Sequence, residues 1–180
     1  VVNDEPCLAV DEVVCAGQAM FLIAAETEEQ AIEAEKLITV EFEPLEAITT
    51  LGQAIERNNL MGPPAKIERG DVEQAMKAAP HVLRGELTTG AQEHWYLESQ
   101  VSLCVPGEGR EMTVYSSTQH PSETQALIAE LLGVGKNQIV VEVRRMGGAF
   151  GGKETQANHT ACWAALLAHA TGRPVKIRLF

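Results

Sequence analysis

Apolar and polar positions along the chain change period several times, and each change predicts an element. Over residues 13–25, VVCAGQAMFLIAA, β-branched and apolar side chains run on either side of Gly17, which predicts a strand pair or one bent strand. A helix follows, because Thr27 stands in capping position with Gln30 three residues on, and Ala31, Ala34, Leu37 and Ile38 recur at helical spacing. TVEF at 39–42 alternates again, so residues 1–60 read as strand, helix, strand, with one apolar helix face laid on the sheet. A short helix at 51–57 closes this unit. Gly62, Pro63 and Pro64 cannot sit inside regular structure, which predicts a domain boundary or strap within 58–70.

In the second unit Asp71 caps the helix DVEQAMKAA, Pro80 marks its end, and HVLRGELTT at 81–89 alternates like a half-buried strand. Strands at 101–105 and 112–116 flank PGEGR, a hairpin loop. The helix at 121–132 opens on Pro121 and stops at Gly133 and Gly135. IVVEVRR at 139–145 alternates strictly, MGGAFGGKETQ breaks the pattern, a helix runs from 155 to 170, and PVKIRLF is a last strand-like run. No internal repeat or low-complexity segment is present. The fold class this predicts is α+β, with a mixed sheet and packed helices.

Composition narrows the partners rather than the fold. The 180 residues, with 45% hydrophobic, suffice for one ordinary domain or two small ones. A formal charge of -11 repels nucleic acid and anionic membranes, and basic residues gather only around Arg144 and Arg145. No run approaches the roughly 18 apolar residues of a membrane span, and VVNDEPCLAV lacks the features of a secretion signal, so a cytoplasmic location is expected. Val1 in place of Met, and the abrupt stop after PVKIRLF, read as cuts from a longer chain. Cys7, Cys15, Cys104 and Cys162 are too scattered for a metal site and are expected to be small buried apolar residues in a reducing compartment.

Two segments carry the chemistry. Gly147, Gly148, Gly151 and Gly152 surround Phe150 between a strand and a helix. Such a loop brings backbone N–H donors close to an electron-rich or anionic guest, where a single glycine pair would be only a tight turn. Gly147 to Lys153 also spells GxxxxGK, the start of a phosphate loop. The hydroxyl that should follow for magnesium is replaced by Glu154, whose carboxylate repels phosphate. Glu154 can accept hydrogen bonds from the N–H groups of a neutral heterocycle, or simply complement the helix dipole.

The second segment, GAQEHWYLES at 90–99, sets Gln92, Glu93, His94 and Glu98 around two aromatics. Gln92 donates and accepts without titrating, which suits orienting an oxo or hydroxo group. His94 reads as a base, a metal ligand or a hydrogen-bonded packing residue, and Glu98 as a base or a solvent-facing strand residue.

Taken together, GAQEHWYLES and VRRMGGAFGGKETQ resemble the molybdenum-binding subunit of the xanthine dehydrogenase and aldehyde oxidase family. Weaker likeness lies in NDEP, in CAGQ at 15–18, in the Ala- and Glu-rich helix and in IERGDVEQA. The resemblance implies a partial α/β hammerhead domain at 1–64 and the start of a molybdopterin-binding domain at 65–180. It implies a molybdenum–molybdopterin cofactor, with the Gln92 amide near the metal's oxygen ligand and the backbone at Phe150 and Gly151 against the cofactor. The Phe150 ring would wall the substrate pocket. A glutamate at the position of Glu154 pairs with the purine in xanthine-oxidising members, so the implied activity is purine hydroxylation with water-derived oxygen. Aldehyde or other N-heterocycle oxidation, or a cofactor-free structural module, are the alternatives.

Ala149 and Gln156 depart from a glycine and an arginine common in that family, and neither removes a group on which this reading depends. The resemblance places no catalytic residue in this chain. It puts the general-base glutamate, the substrate arginine and most pterin-anchoring groups beyond residue 180, and iron–sulfur and FAD on other modules or subunits of an oligomeric parent. The chain alone is then expected to be inactive.

Overall fold

A computed structural model of the chain describes residues 6–60 and 62–179. In chain order the elements are α1 (Glu28–Glu35), α2 (Leu51–Glu56), α3 (Val72–Ala78), β1 (Val101–Pro106), β2 (Met112–Ser116), α4 (Pro121–Leu132), β3 (Ile139–Glu142), α5 (Ala157–Thr171) and β4 (Val175–Arg178). By compactness they fall into two units, Val1–Ile38 with Gln92–Phe180, and Thr39–Ala91.

The first unit is built on one four-stranded mixed sheet of order β3-β2-β1-β4. β1 pairs antiparallel with β2 and β4, and β2 pairs parallel with β3. The antiparallel β1–β2 pair needs only the PGEGR turn, where Gly107 donates its N–H to the Glu111 carbonyl at 2.8 Å. The parallel β2–β3 pair needs a longer crossover, and α4 supplies it. Pro121 sets the first turn of α4, and Gly133, left-handed at φ 62°, ends it.

Alternation along β1 and β2 sends Ser102, Cys104, Met112, Val114 and Ser116 to a single buried face. Ile128, Ala129 and Leu132 of α4 pack with that face, as do Ala161, Cys162, Ala164, Ala165 and Ala168 of α5. Burying Ile128 fully contributes about 2 kcal/mol. The alanines of α5 let its backbone approach the strands closely, so the Cys104 thiol reaches the Ala161 carbonyl at 3.6 Å. Where the face turns polar, Ser102 Oγ meets Ser116 Oγ at 3.0 Å and Thr160 Oγ1 at 3.4 Å. The earliest described residues join this unit through Cys7, whose carbonyl accepts the Trp163 indole N–H at 2.7 Å.

In the second unit, α2 is closed by a reciprocal capping box between Thr50 and Gln53. Asp71 caps α3 by accepting the Gln74 N–H at 2.9 Å. Among the described residues no helix is long and apolar enough to cross a membrane.

Several expectations need correction. The predicted strands at 13–25, 39–42 and 81–89 are extended or irregular and belong to no sheet. Alternation specifies a face, but a strand also needs a neighbour for its N–H and C=O groups, and apart from the Ala9 to Ala19 bond at 2.8 Å these segments find almost none. Thr27 does cap α1, accepting the Gln30 N–H at 3.2 Å, yet that acid-rich helix buries no residue, so the expected apolar face on a sheet is absent. β3 ends at Glu142 rather than Arg145, because its register partner Tyr115 is next to the last residue of β2. Residues 3–5 of NDEP lie outside the described residues.

The cysteines divide. Burial pushes the Cys104 and Cys162 thiols up to about 12, whereas Cys15 is exposed, against expectation. In native protein at pH 8, iodoacetamide is expected to label Cys15 readily and Cys104 and Cys162 at least about a hundredfold more slowly, because their thiolate populations are so small. Peptide mapping by mass spectrometry reads this directly, and equal labelling would contradict the described core.

Candidate functional site

The two segments singled out by their residues run side by side. The Glu98 N–H donates to the Gly147 carbonyl at 3.2 Å, and the Gly147 N–H returns to Glu98 Oε2 at 2.6 Å. Further along, Tyr96 lies against Gly148 and Gly152, and His94 against Gly151 and Gly152. These approaches explain why glycine is needed. A Cβ on Gly152 would fall 2.5 Å from Tyr96 Cε1 and 2.9 Å from His94 Cγ. One on Gly147 would fall 2.5 Å from the Glu98 Cβ. Gly148 and Gly151 have φ of +94° and +95°, which only glycine adopts without strain.

Between those glycines Phe150 is held at φ 53°, in the left-handed region, and in the bordering segment Trp95 is held at φ 46°. Each conformation costs on the order of 1 kcal/mol for a side chain of this kind. Both rings are largely exposed, at 76% and 88%, so their strain is not compensated by burial of the ring. Backbone strain at exposed aromatics in two neighbouring segments is the kind found at binding surfaces.

The loop's donors divide into engaged and open ones. Gly151 and Lys153 both give their N–H to Gln119 Oε1, at 3.1 and 3.3 Å, and Gly152 gives its own to the Ala149 carbonyl at 2.8 Å. The N–H groups of Gly148, Ala149 and Phe150 have no partner among the described residues. Consecutive amide donors without a partner in the chain are the groups that an anion or oxo ligand takes up. Among the described residues no three His, Cys, Asp or Glu side chains gather as a metal set. The open amides suit the oxygen-rich edge of a molybdenum–pterin group.

Lys153 decides against a phosphate loop. Its side chain is completely buried, donating to Ser117 Oγ at 2.8 Å, lying 3.5 Å from Glu98 Oε1 and resting 4.8 Å from the centre of the Tyr96 ring. An ammonium so enclosed cannot reach a nucleotide. Glu98 is correspondingly a partner of the loop rather than a base. Burial raises its carboxyl pKa, but hydrogen bonds from Ser117 and the Gly147 N–H, together with Lys153, outweigh burial and hold it below the usual carboxylate range.

Of the residues expected at a site, Phe150, Gly151 and Glu154 lie on one loop, with Glu154 exposed directly after the buried Lys153. Gln92 is exposed two positions before His94, in the segment that borders the loop. His94 is about half-exposed, its Nδ1 3.7 Å from Glu93 Oε1. The supporting residues were not foreseen. Gln119 anchors both sides of the loop's second half, its own N–H donating to the Lys153 carbonyl at 2.9 Å. Gln100 is 7% exposed, and its Nε2 bridges the Tyr96 hydroxyl at 2.8 Å and the Gly152 carbonyl at 2.9 Å. The signals available were SSTQH, a polar run between an apolar strand and a helix, and a lone cation inside a glycine loop of an acidic chain.

The chain was compared with known proteins. It is 46% identical over 178 residues to xanthine dehydrogenase/oxidase of Mus musculus and 40% identical over 179 residues to aldehyde oxidase 3 of the same organism. Each match covers 98% of this chain and 13% of the relative's length. Among solved structures, the aldehyde oxidoreductase of Desulfovibrio gigas superposes with a TM-score of 0.81 at 25% identity, over 98% of this chain and 20% of that one. The family model described as the molybdopterin cofactor-binding domain matches residues 53–179. With the paired segments and open amides described above, these similarities make the chain a member of the molybdopterin cofactor-binding domain family, in the molybdenum-binding region shared by xanthine dehydrogenases and aldehyde oxidases.

Proposed function

We propose that this chain forms one wall of the active site of a molybdenum hydroxylase that oxidises a purine of the xanthine or hypoxanthine type, adding water-derived oxygen at an electron-poor carbon. The observation that carries this reading is Glu154, an exposed carboxylate at the mouth of a loop with open amide donors. When bound, the molybdenum–pterin group supplies the two-electron oxidation. Gln92 would hold its amide beside the bound cofactor at its metal, accepting or donating without changing charge. Phe150 and Gly151 would border the cofactor. Because the Gly151 N–H is already given to Gln119, Gly151 acts by permitting close approach, and the donors come from Gly148, Ala149 and Phe150. The exposed Phe150 ring walls the substrate pocket, and Glu154 accepts an N–H of the purine, fixing the orientation of the ring.

In the same proposal the general base, the substrate arginine, and the iron–sulfur and FAD groups belong to other parts of a cytoplasmic, oligomeric enzyme of purine catabolism, and this chain alone is inactive. Residues 1–64 are read as part of an α/β hammerhead domain and 65–180 as the start of the molybdopterin-binding domain. Oxidation of an aldehyde is the second reading, favoured by the 40% identity to aldehyde oxidase 3.

The test uses the full-length protein. Metal analysis is expected to find molybdenum with a pterin, and anaerobic xanthine is expected to bleach the visible spectrum faster than an aldehyde does. Bleaching by the aldehyde alone would establish the second reading. Purified protein lacking both molybdenum and pterin would reduce the chain to a structural module.

A further inference from the structure

We propose that Lys153 and Glu98 form a positioning clasp that closes the glycine loop on itself, and by doing so turns the open amides and Glu154 toward the cofactor and substrate. This rests on reading the loop as a cofactor cradle.

Lys153 is the only residue carrying a full formal charge among the fully buried polar side chains described. Taking an ammonium out of water is costly, and a methionine would fill the same volume without that cost. The charge is therefore retained for what it touches. It has three partners from two places: Ser117 just after β2, and Glu98 and the face of Tyr96 in the neighbouring segment. Glu98 extends the connection, since its other carboxylate oxygen accepts the Gly147 N–H. Gly147 begins the loop and Lys153 ends it, so one carboxylate joins the two ends, while the loop's middle carries the open donors and the strained Phe150.

The clasp also sets the direction of Glu154. Lys153 and Glu154 are consecutive, and the inward course of the first accompanies the outward exposure of the second. The Lys153 backbone is fixed as well, its N–H donating to the Gln119 side chain and its carbonyl accepting the Gln119 N–H. Lys153 and Glu98 are thus positioning residues, acting through the loop rather than on substrate.

Lys153→Met, Glu98→Gln and the double variant in the full-length protein test this. In protein prepared without cofactor, exchange of the hydrogen-bonded amides of Gly147, Gly151, Gly152 and Lys153 is expected to accelerate by about tenfold or more in each single variant, with α5 unchanged. In loaded protein, turnover per bound molybdenum is expected to fall by about tenfold or more, and the double variant to match the worse single one rather than the product of the two. A merely structural role would lower the yield or the melting temperature and leave turnover per molybdenum intact. Glu98, one-third exposed, provides a variant that folds even where Lys153→Met does not. Wild-type exchange and wild-type turnover per molybdenum in Glu98→Gln would overturn the clasp and leave the cradle standing. Absence of molybdenum from wild-type protein would instead sink the cradle, with loop exchange still deciding on the clasp.

Discussion

Gly152→Ala is expected to leave the full-length protein with a tenth or less of the wild-type molybdenum per polypeptide. The added Cβ would lie 2.5 Å from Tyr96 Cε1, 2.9 Å from His94 Cγ and 3.1 Å from His94 Nδ1. Tyr96 has little room to give, because its hydroxyl accepts from Gln100 at 2.8 Å and its ring supports the Lys153 ammonium. The loop must therefore move instead, taking with it the open amides at 148–150. Overpacking of this kind costs about 1–3 kcal/mol, and about 1.4 kcal/mol is already tenfold in an equilibrium. Gly52→Ala is the control: nothing lies within 4 Å of a Cβ there, and the residue sits in α2. Metal analysis of the two variants decides the matter, since equal and full loading of Gly152→Ala would mean that the loop does not need this shape.

The second large effect concerns Glu154. In Glu154→Gln, kcat/KM for a purine is expected to fall roughly a hundredfold, the equivalent of about 2.7 kcal/mol, which lies within the range for a hydrogen bond to a charged group. Kcat/KM for an aldehyde should change by less than about threefold, because an aldehyde offers no N–H to the lost carboxylate. The fold should be unaffected, as the Glu154 side chain is exposed and only its backbone N–H is committed, to the Gly151 carbonyl at 3.3 Å. Parallel losses on both substrates would assign Glu154 a general role in the loop and remove the argument for a purine.

What could be read from residues alone was unequal along the chain. α4 carries its own limits, with Pro121 at one end and Gly133 at the other, and the structure places it at 121–132 as expected. The caps at Thr27 and Asp71 likewise act locally, within three residues of the groups they satisfy. Residues 81–89 have the period of a strand and no ladder, because pairing depends on a second segment that period does not name. The site shows the same division. Glycine spacing announced the loop, but the carboxamides of Gln119 and Gln100 act across gaps of 32 and 52 residues, and no local pattern marks such bonds. Lys153 could be noticed as an unusual cation, whereas its burial under Tyr96 required the fold.

The alanine-rich inner side of α5 carries a consequence for inherited or engineered variation. That helix begins soon after the loop ends, and its depth against β1 is fixed by methyl groups at Ala161, Ala164, Ala165 and Ala168, each wholly enclosed. Enlarging any of them would act as a wedge, lifting the rod and tugging on the chain that enters it. Damage to the chemistry can then originate well away from the chemistry, in changes as mild as alanine to valine.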